Sequence, residues 1–267
     1  MIGITGATGK LGRFVIREFP NAVVIGRRPV EGHPFIRADL SKPLDRHLFK
    51  DIDLLIHLAG STNFKDPEIY RANLEPAKRV RDAYDGNIIL ASSVSVYGKR
   101  VGMATEDTPP RPDSEYARAK FDAEQVMDDA MILRIGTVFG PFGYYSRMIK
   151  AVRGGLVVLP SHDKIHVPFI SVWDVARAFK AAAKRFSKGV YLVVPEQTPT
   201  VGEMLGVIEH YFNRRAMRLS IGPLFKWLFD EESYNVLTHD RIFIRKRDFG
   251  WRPSETTAEV LRLLQSI

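Results

Sequence analysis

The chain opens Met1-Ile2-Gly3-Ile4-Thr5-Gly6-Ala7-Thr8-Gly9-Lys10-Leu11-Gly12, and this start constrains the fold more than any other stretch. A short apolar run, glycines at 6, 9 and 12, and helical periodicity over Leu11–Phe19 spell a buried strand, a tight loop and a helix. Glycine at those spacings lets the backbone turn sharply, approach an anion closely and pack the helix on the strand. The oriented N–H groups at the helix start then suit a pyrophosphate. Gly6, Thr8, Gly9, Lys10, Leu11 and Gly12 are therefore expected to line a phosphate loop.

The alternation continues. Ile2–Ile4, Ala22–Ile25, Phe35–Arg37, Leu54–His57, Asn87–Leu90, Met131–Arg134 and Val190–Val194 read as strands, several of them continuous in Val, Ile and Leu as burial on both faces requires. Leu11–Phe19, Ile69–Tyr84, Tyr116–Asp128 and Val172–Arg185 read as helices. Strand and helix in turn imply βαβ units and an α/β, doubly wound, mostly parallel sheet. The pattern loosens at 141–170, rich in Gly and Pro around one short basic helix. Beyond 196 it holds a helix near Thr200–Phe212, the apolar stretch Leu224–Phe229 and a last helix near Glu255–Leu264. The expected division is a dinucleotide-binding domain from 1–140 plus 171–195, and a small substrate lobe from 141–170 plus 196–267.

Composition excludes several classes. With 45% hydrophobic and 26% charged residues the chain is globular rather than disordered. The absence of cysteine removes disulfide scaffolds, thiolate metal sites and cysteine nucleophiles. No apolar run has bilayer-spanning length, and Met1 leads straight into a core strand, so a cytoplasmic location is expected. His57 reads as a packed strand-end residue, and His162 and His166 stand too far from other ligands to suggest a metal site. Residues 140–190 carry nine basic side chains against two acidic ones, either a solvated face or a field that draws anionic ligands. No nucleic-acid module accompanies it.

After the second strand, NAD-preferring folds place a carboxylate for the ribose 2′-hydroxyl. Here Gly26-Arg27-Arg28-Pro29 stands instead, two guanidiniums whose planar forks suit a 2′-phosphate. The expected cofactor is NADP(H), with NAD as the alternative. Asp39-Leu40 after the third strand suits the adenine. Leu58-Ala59-Gly60 after the fourth is small enough to approach the ribose and nicotinamide.

Ser92-Ser93 ends the fifth strand, and Tyr116 and Lys120 lie four apart, on one face of a helix. A phenol of ordinary pKa near ~10 is a poor base at neutral pH. The Lys120 ammonium and a cationic nicotinamide are expected to lower it, while Ser93 holds the substrate oxygen. No Gly-x-Ser-x-Gly elbow supports a serine hydrolase.

These residues resemble the extended short-chain dehydrogenase/reductase family, in particular its NAD-dependent epimerase/dehydratase branch. The match runs through Thr5-Gly6-x-x-Gly9-x-x-Gly12, Asp39-Leu40, His57-Leu58-Ala59-Gly60, Asn73, Ser92-Ser93-x-x-Val96-Tyr97-Gly98, Glu106, Pro109 and Pro112. It continues through Tyr116-x-x-x-Lys120, Leu133-Arg134, Phe139-Gly140-Pro141, Val172-x-Asp174-Val175-Ala176 and Phe249-Gly250-Trp251-Arg252-Pro253. The resemblance implies a Rossmann-type doubly wound parallel sheet with a small C-terminal substrate lobe, a bound nicotinamide dinucleotide, a catalytic triad of Ser93, Tyr116 and Lys120, with Tyr116 and Lys120 also touching the cofactor, and a homodimer through helices such as Ile69–Tyr84 and Tyr116–Asp128.

Two departures bear on the substrate. Sugar-nucleotide members of the branch usually carry Asn where this chain has Thr137, and Arg-Asp-Phe where it has Val167-Pro168-Phe169. The leading expectation is therefore hydride transfer at a carbinol or carbonyl carbon of a small, anionic substrate. The alternatives are a nucleotide-sugar epimerase or dehydratase, with Arg147, Lys150 and Arg153 on the diphosphate, and a catalytically silent NADP-binding subunit. Leu224–Phe229 reads as a pocket cover or as an interaction face.

Overall fold

The computed structural model describes residues 1–99, 101–222, 227 and 230–265. Leu224–Phe229 lies outside the described residues apart from Trp227, which is 75% exposed.

Seven strands form one parallel sheet. In chain order they are β1 (Ile2–Thr5), β2 (Val23–Gly26), β3 (Phe35–Arg37), β4 (Leu54–His57) and β5 (Asn87–Ser93), followed after the short β6 (Gly102–Ala104) by β7 (Met131–Ile135). Three further short strands, β8 (Thr137–Phe139), β9 (Leu156–Leu159) and β10 (Phe169–Ser171), precede the seventh member, β11 (Gly189–Val193). The spatial order is β11-β7-β5-β4-β1-β2-β3, so the chain winds outward in both directions from β1, and the order reverses between β1 and β4. That crevice, at the strands' carboxyl ends, is where open α/β sheets bind ligands.

Helices cover both faces. The first is shorter than the periodicity suggests: α1 spans Gly12–Val15 and tightens into a 3-10 turn over Ile16–Glu18. Pro20 accounts for the early end, since a residue before proline avoids helical backbone, and Phe19 sits at φ −132°, ψ 70°. Four longer helices follow: α2 (Ile69–Ala83), α3 (Glu115–Val126), α4 (Gly143–Gly154) and α5 (Val172–Lys184). On one face Phe14, Val15, Val175 and Phe179 pack against Ile4, Ile56 and Leu133; on the other Leu74, Val80 and Met127 pack against Ile25, Leu55 and Leu90.

Local signals explain the helix starts. Ser114 caps α3 by accepting from Ala117 N at 3.2 Å, and Ser171 caps α5 by accepting from Asp174 N at 3.0 Å. Asp174 in turn takes Arg177 at 2.6 Å and the Ser254 backbone at 3.0 Å, so this motif carboxylate works as structure.

The remaining elements are α6 (Val201–Tyr211), β12 (Met217–Ser220), α7 (Glu231–Thr238), β13 (Arg241–Phe243) and α8 (Thr256–Gln265). A further core joins Tyr145, Met148 and Val152 of α4 to Leu205 and Ile208 of α6 and to Leu263 of α8. The segment 196–267 is nevertheless divided between cores. Phe249 and Trp251 stack at 5.9 Å inside the sheet's own core, and β13 pairs in parallel with β6. Among the described residues no helix is long and apolar enough to cross a membrane.

Candidate active site

The glycine loop closes on itself through Gly9 N donating to Gly6 O at 2.9 Å. Gly6 holds φ +72°, and a Cβ there would lie 2.7 Å from the Ala59 nitrogen, so only glycine admits both the left-handed backbone and the neighbouring strand end. A Cβ at Gly12 would collide with the Gly6 carbonyl. These contacts bring the expected loop of residues 6–12 against Leu58-Ala59-Gly60, with Lys10 and Gly9 exposed.

Beside the loop opens a cavity of about 430 Å³ lined by Ala7, Thr8, Arg13, Arg17, Glu31 and His33. Arg13 was not legible as a site residue, since nothing in its spacing marks it. Arg27 and Arg28 stand exposed just past β2. Asp39 lies within electrostatic reach of Arg27. Its carboxyl is held below the usual range by hydrogen bonds from the Ser41 hydroxyl and backbone, with smaller help from Lys42 and Arg27. Leu40 turns inward, 9% exposed, to the core beneath.

Ser93, Tyr116 and Lys120 converge at the end of β5. Tyr116 occupies the first turn of α3, and Lys120 follows one turn later on the same side. The Ser93 hydroxyl is hydrogen-bonded to the Tyr116 phenol and accepts from Ser95 N at 3.1 Å. Lys120 Nζ donates to Ala91 O at 3.0 Å and lies 5.9 Å from the Tyr116 ring centre. Phe64 meets that ring edge-on at 5.1 Å.

The electrostatics differ from the expectation. Burial raises the Tyr116 phenol well above its ordinary value, the Glu232 carboxylate adds to the rise, and the Ser93 hydrogen bond opposes it. The lowering expected from Lys120 is not among these effects. Burial instead pushes Lys120 itself down to about 8, with Glu124 pulling the other way. Burial disfavours the charged form of each group, which lifts the phenol and lowers the lysine.

His57 is 2% exposed, donates to or accepts from Thr5 Oγ1 through Nδ1 at 2.9 Å, and is pushed down to about 3 by burial and then by Lys120. It is neutral at physiological pH, as its reading as a packed residue implies. His57 Nε2 and Asn73 Oδ1 are both buried without a hydrogen-bond partner. A Cβ at Gly60 would strike Asn73 Oδ1 and come within 3.5 Å of Lys120 Nζ. The Gly60 backbone thus faces the lysine, with two unsatisfied polar atoms near the strand ends.

Two acidic side chains complete the site. Glu124, one turn beyond Lys120, receives Arg134 of β7 through Nε at 3.0 Å and Nη2 at 2.6 Å, and also Ser92. Arg134 Nη1 reaches the Tyr97 hydroxyl at 2.8 Å. A charge inside an apolar strand was the available signal here, because a buried arginine demands a partner. Glu232 of α7 accepts from Ser95 and, at 3.1 Å, from Ser114, with Arg241 at 3.9 Å. It touches both the turn after Ser93 and the cap of Tyr116's helix, and no local spacing reveals it.

Such an arrangement can hold a substrate oxygen between hydroxyls and move a proton to or from it. Among the described residues no group of three or more His, Asp and Glu gathers to hold a metal.

Known proteins share this fold. MoeE5, solved in complex with UDP-glucose and NAD, superposes with a TM-score of 0.82 at 24% identity, covering 99% of this chain and 97% of that one. The UDP-N-acetylglucosamine 4-epimerase from Methanobrevibacter ruminantium M1, solved with UDP-N-acetylmuramic acid, superposes at 0.81 with 19% identity, covering 100% and 98%. By sequence, the ceramide reductase of Caulobacter vibrioides (strain NA1000 / CB15N) is 34% identical over 161 residues, 53% of this chain and 47% of that one. The N-acetyl-alpha-D-glucosaminyl-diphospho-ditrans,octacis-undecaprenol 4-epimerase of Escherichia coli O157:H7 is 24% identical over 183 residues, 60% and 55%. The chain thus spans about half the length of the curated relatives it matches. Residues 2–193, which hold the glycine loop and the Ser93–Tyr116–Lys120 cluster, match the family model described as NAD dependent epimerase/dehydratase; to that family this chain belongs.

Proposed function

We propose that the protein is an NADP(H)-preferring oxidoreductase or epimerase that transfers hydride at a carbinol or carbonyl carbon of a small anionic substrate. The observation that carries this reading is the convergence of Ser93, Tyr116 and Lys120 beside a loop that only glycine can form. The loop fits a pyrophosphate, Arg27 and Arg28 fit a 2′-phosphate, Asp39 fits the adenine, and the Leu58–Gly60 backbone fits the ribose. Bound there, the nicotinamide would supply and accept the hydride.

The protein's own groups handle the proton. Ser93 orients the substrate oxygen through its hydroxyl. On reduction the Tyr116 phenol gives its proton to the substrate oxygen and becomes the phenolate; on oxidation the phenolate takes the carbinol proton and becomes the phenol again. Lys120, fixed by Ala91 O, holds a positive charge near the phenol ring and the Gly60 backbone. Phe64, edge-on to Tyr116, narrows water's access to it. A second cavity of about 300 Å³ beside the Tyr97-Gly98 turn is lined in part by Lys99, Arg111 and Asp113, two cations against one carboxylate.

The cofactor assignment is tested by fluorescence titration with NADPH and NADH. Arg27→Ala is expected to weaken NADPH about tenfold to a hundredfold, the scale of hydrogen bonds to a charged group, and to leave NADH unchanged. Tighter NADH binding, with Arg27→Ala neutral towards NADPH, would refute it.

A nucleotide-sugar substrate is the second reading, favoured by the UDP-sugars bound in MoeE5. Thr137 weighs against it, since its backbone N–H is committed to Pro168 O at 2.8 Å and its side chain has no amide to offer a sugar. Thermal-shift measurements with UDP, GDP and dTDP separate the two. On the leading reading none of them raises the melting temperature; a rise of several degrees with one would replace it.

A further inference from the structure

The two-stranded sheet formed by β9 and β12 has an outer face made of aliphatic side chains. Met217 pairs with Leu156 and Leu219 with Val158 in parallel register, so these four side chains project from one side. They are exposed by 67, 42, 48 and 36% respectively. Between them in sequence, Val157 and Leu159 point the other way into the core shared with α4 and α6. A half-buried sheet ordinarily turns polar residues outward. Here every outward position of the four is apolar, and a contiguous patch marks an interaction site where isolated apolar residues would not.

The charge around the patch is mostly positive. Residues 147–163 and 209–222 supply Arg147, Lys150, Arg153, Arg214, Arg215 and Arg218 against Glu209 and Asp163. Arg218 is occupied by Asp163 and Glu209 on the inner side. Arg153, Arg214 and Arg215 are exposed, with Arg153 lying over the Phe212 ring at 5.5 Å. A second copy of this chain would bring like charges together at the rim. A protein partner of ordinary kind is met by aromatic anchors, and the four outward side chains include none.

We infer that the β9–β12 face docks the protein on the surface of a membrane containing anionic lipid. Leu156, Val158, Met217 and Leu219 enter the boundary between headgroups and acyl chains, and the flanking arginines lie at phosphate depth. The binding combines buried apolar area with attraction to the negative surface. It is independent of the cofactor and of the reaction.

The test is co-sedimentation of the full chain with vesicles of phosphatidylcholine alone and of phosphatidylcholine mixed with phosphatidylglycerol. Binding to the mixed vesicles, weakened by added salt, is expected. Leu219→Glu should lower the bound fraction by more than about tenfold, and Arg214→Gln and Arg215→Gln by about fivefold each. All three side chains are exposed, so the melting temperatures should match the parent's. No sedimentation with either vesicle would overturn the inference, as would binding that Leu219→Glu leaves intact. So would a concentration-dependent dimer in analytical ultracentrifugation that the same substitution abolishes, since the face would then belong to a second copy.

Discussion

Tyr116→Phe is expected to lower turnover by about two to four orders of magnitude, the usual contribution of a positioned proton donor or acceptor. The substitution removes one oxygen and keeps the ring that packs edge-on against Phe64, so the fold and the melting temperature should be unchanged. The loss should fall on kcat, because the proton moves only as the reaction proceeds. NADPH consumption with a panel of small carbonyl compounds, run in parallel for parent and variant, is the measurement. A variant with parental turnover would remove Tyr116 from the chemistry.

Arg134→Met should cost about 3–5 kcal/mol of stability, the price of leaving a buried carboxylate without its counter-charge. Glu124 and Arg134 side chains are 2% and 5% exposed, so water cannot replace the lost guanidinium. For a chain of this size the melting temperature should drop by on the order of 10 °C. The effect reaches the site, because the pair ties α3 to β7 one turn beyond Lys120. Replacing both partners, Glu124→Leu with Arg134→Met, should recover most of the stability, since a matched apolar pair removes the desolvation penalty as well. Urea unfolding of the three variants measures both effects. A single variant as stable as the parent would show that the pair contributes little.

Where neighbouring residues decide the outcome, the structure was legible in advance. Each strand of the parallel sheet is a mostly apolar run of three to seven residues bounded by turn signals, and β1, β4 and β7 lie within a residue of the ranges their apolar runs suggest. The glycine loop and the Tyr116–Lys120 spacing are local in the same sense. What escaped depends on distant partners. Ser95 and Glu232 are 137 residues apart, and β13 finds β6 across a similar gap; no periodicity marks either. The direction of the Tyr116 shift escaped for a related reason. Its dominant cause is desolvation, a property of everything packed around the ring, and residue spacing carries no measure of that. The short α1 was readable in principle from Phe19-Pro20, where a breaker outweighs the amphipathic pattern.

Glu232 braces the serine turn against the cap of Tyr116's helix from 137 and 118 residues downstream. A nascent chain that has emerged only as far as β11 already owns every strand of its large sheet, and Lys120 and Glu124 can already hold α3 on β5; the brace from α7 comes only once residue 232 has left the ribosome. Closure over so long a span is slow, so the candidate site assembles first from near neighbours and is locked afterwards.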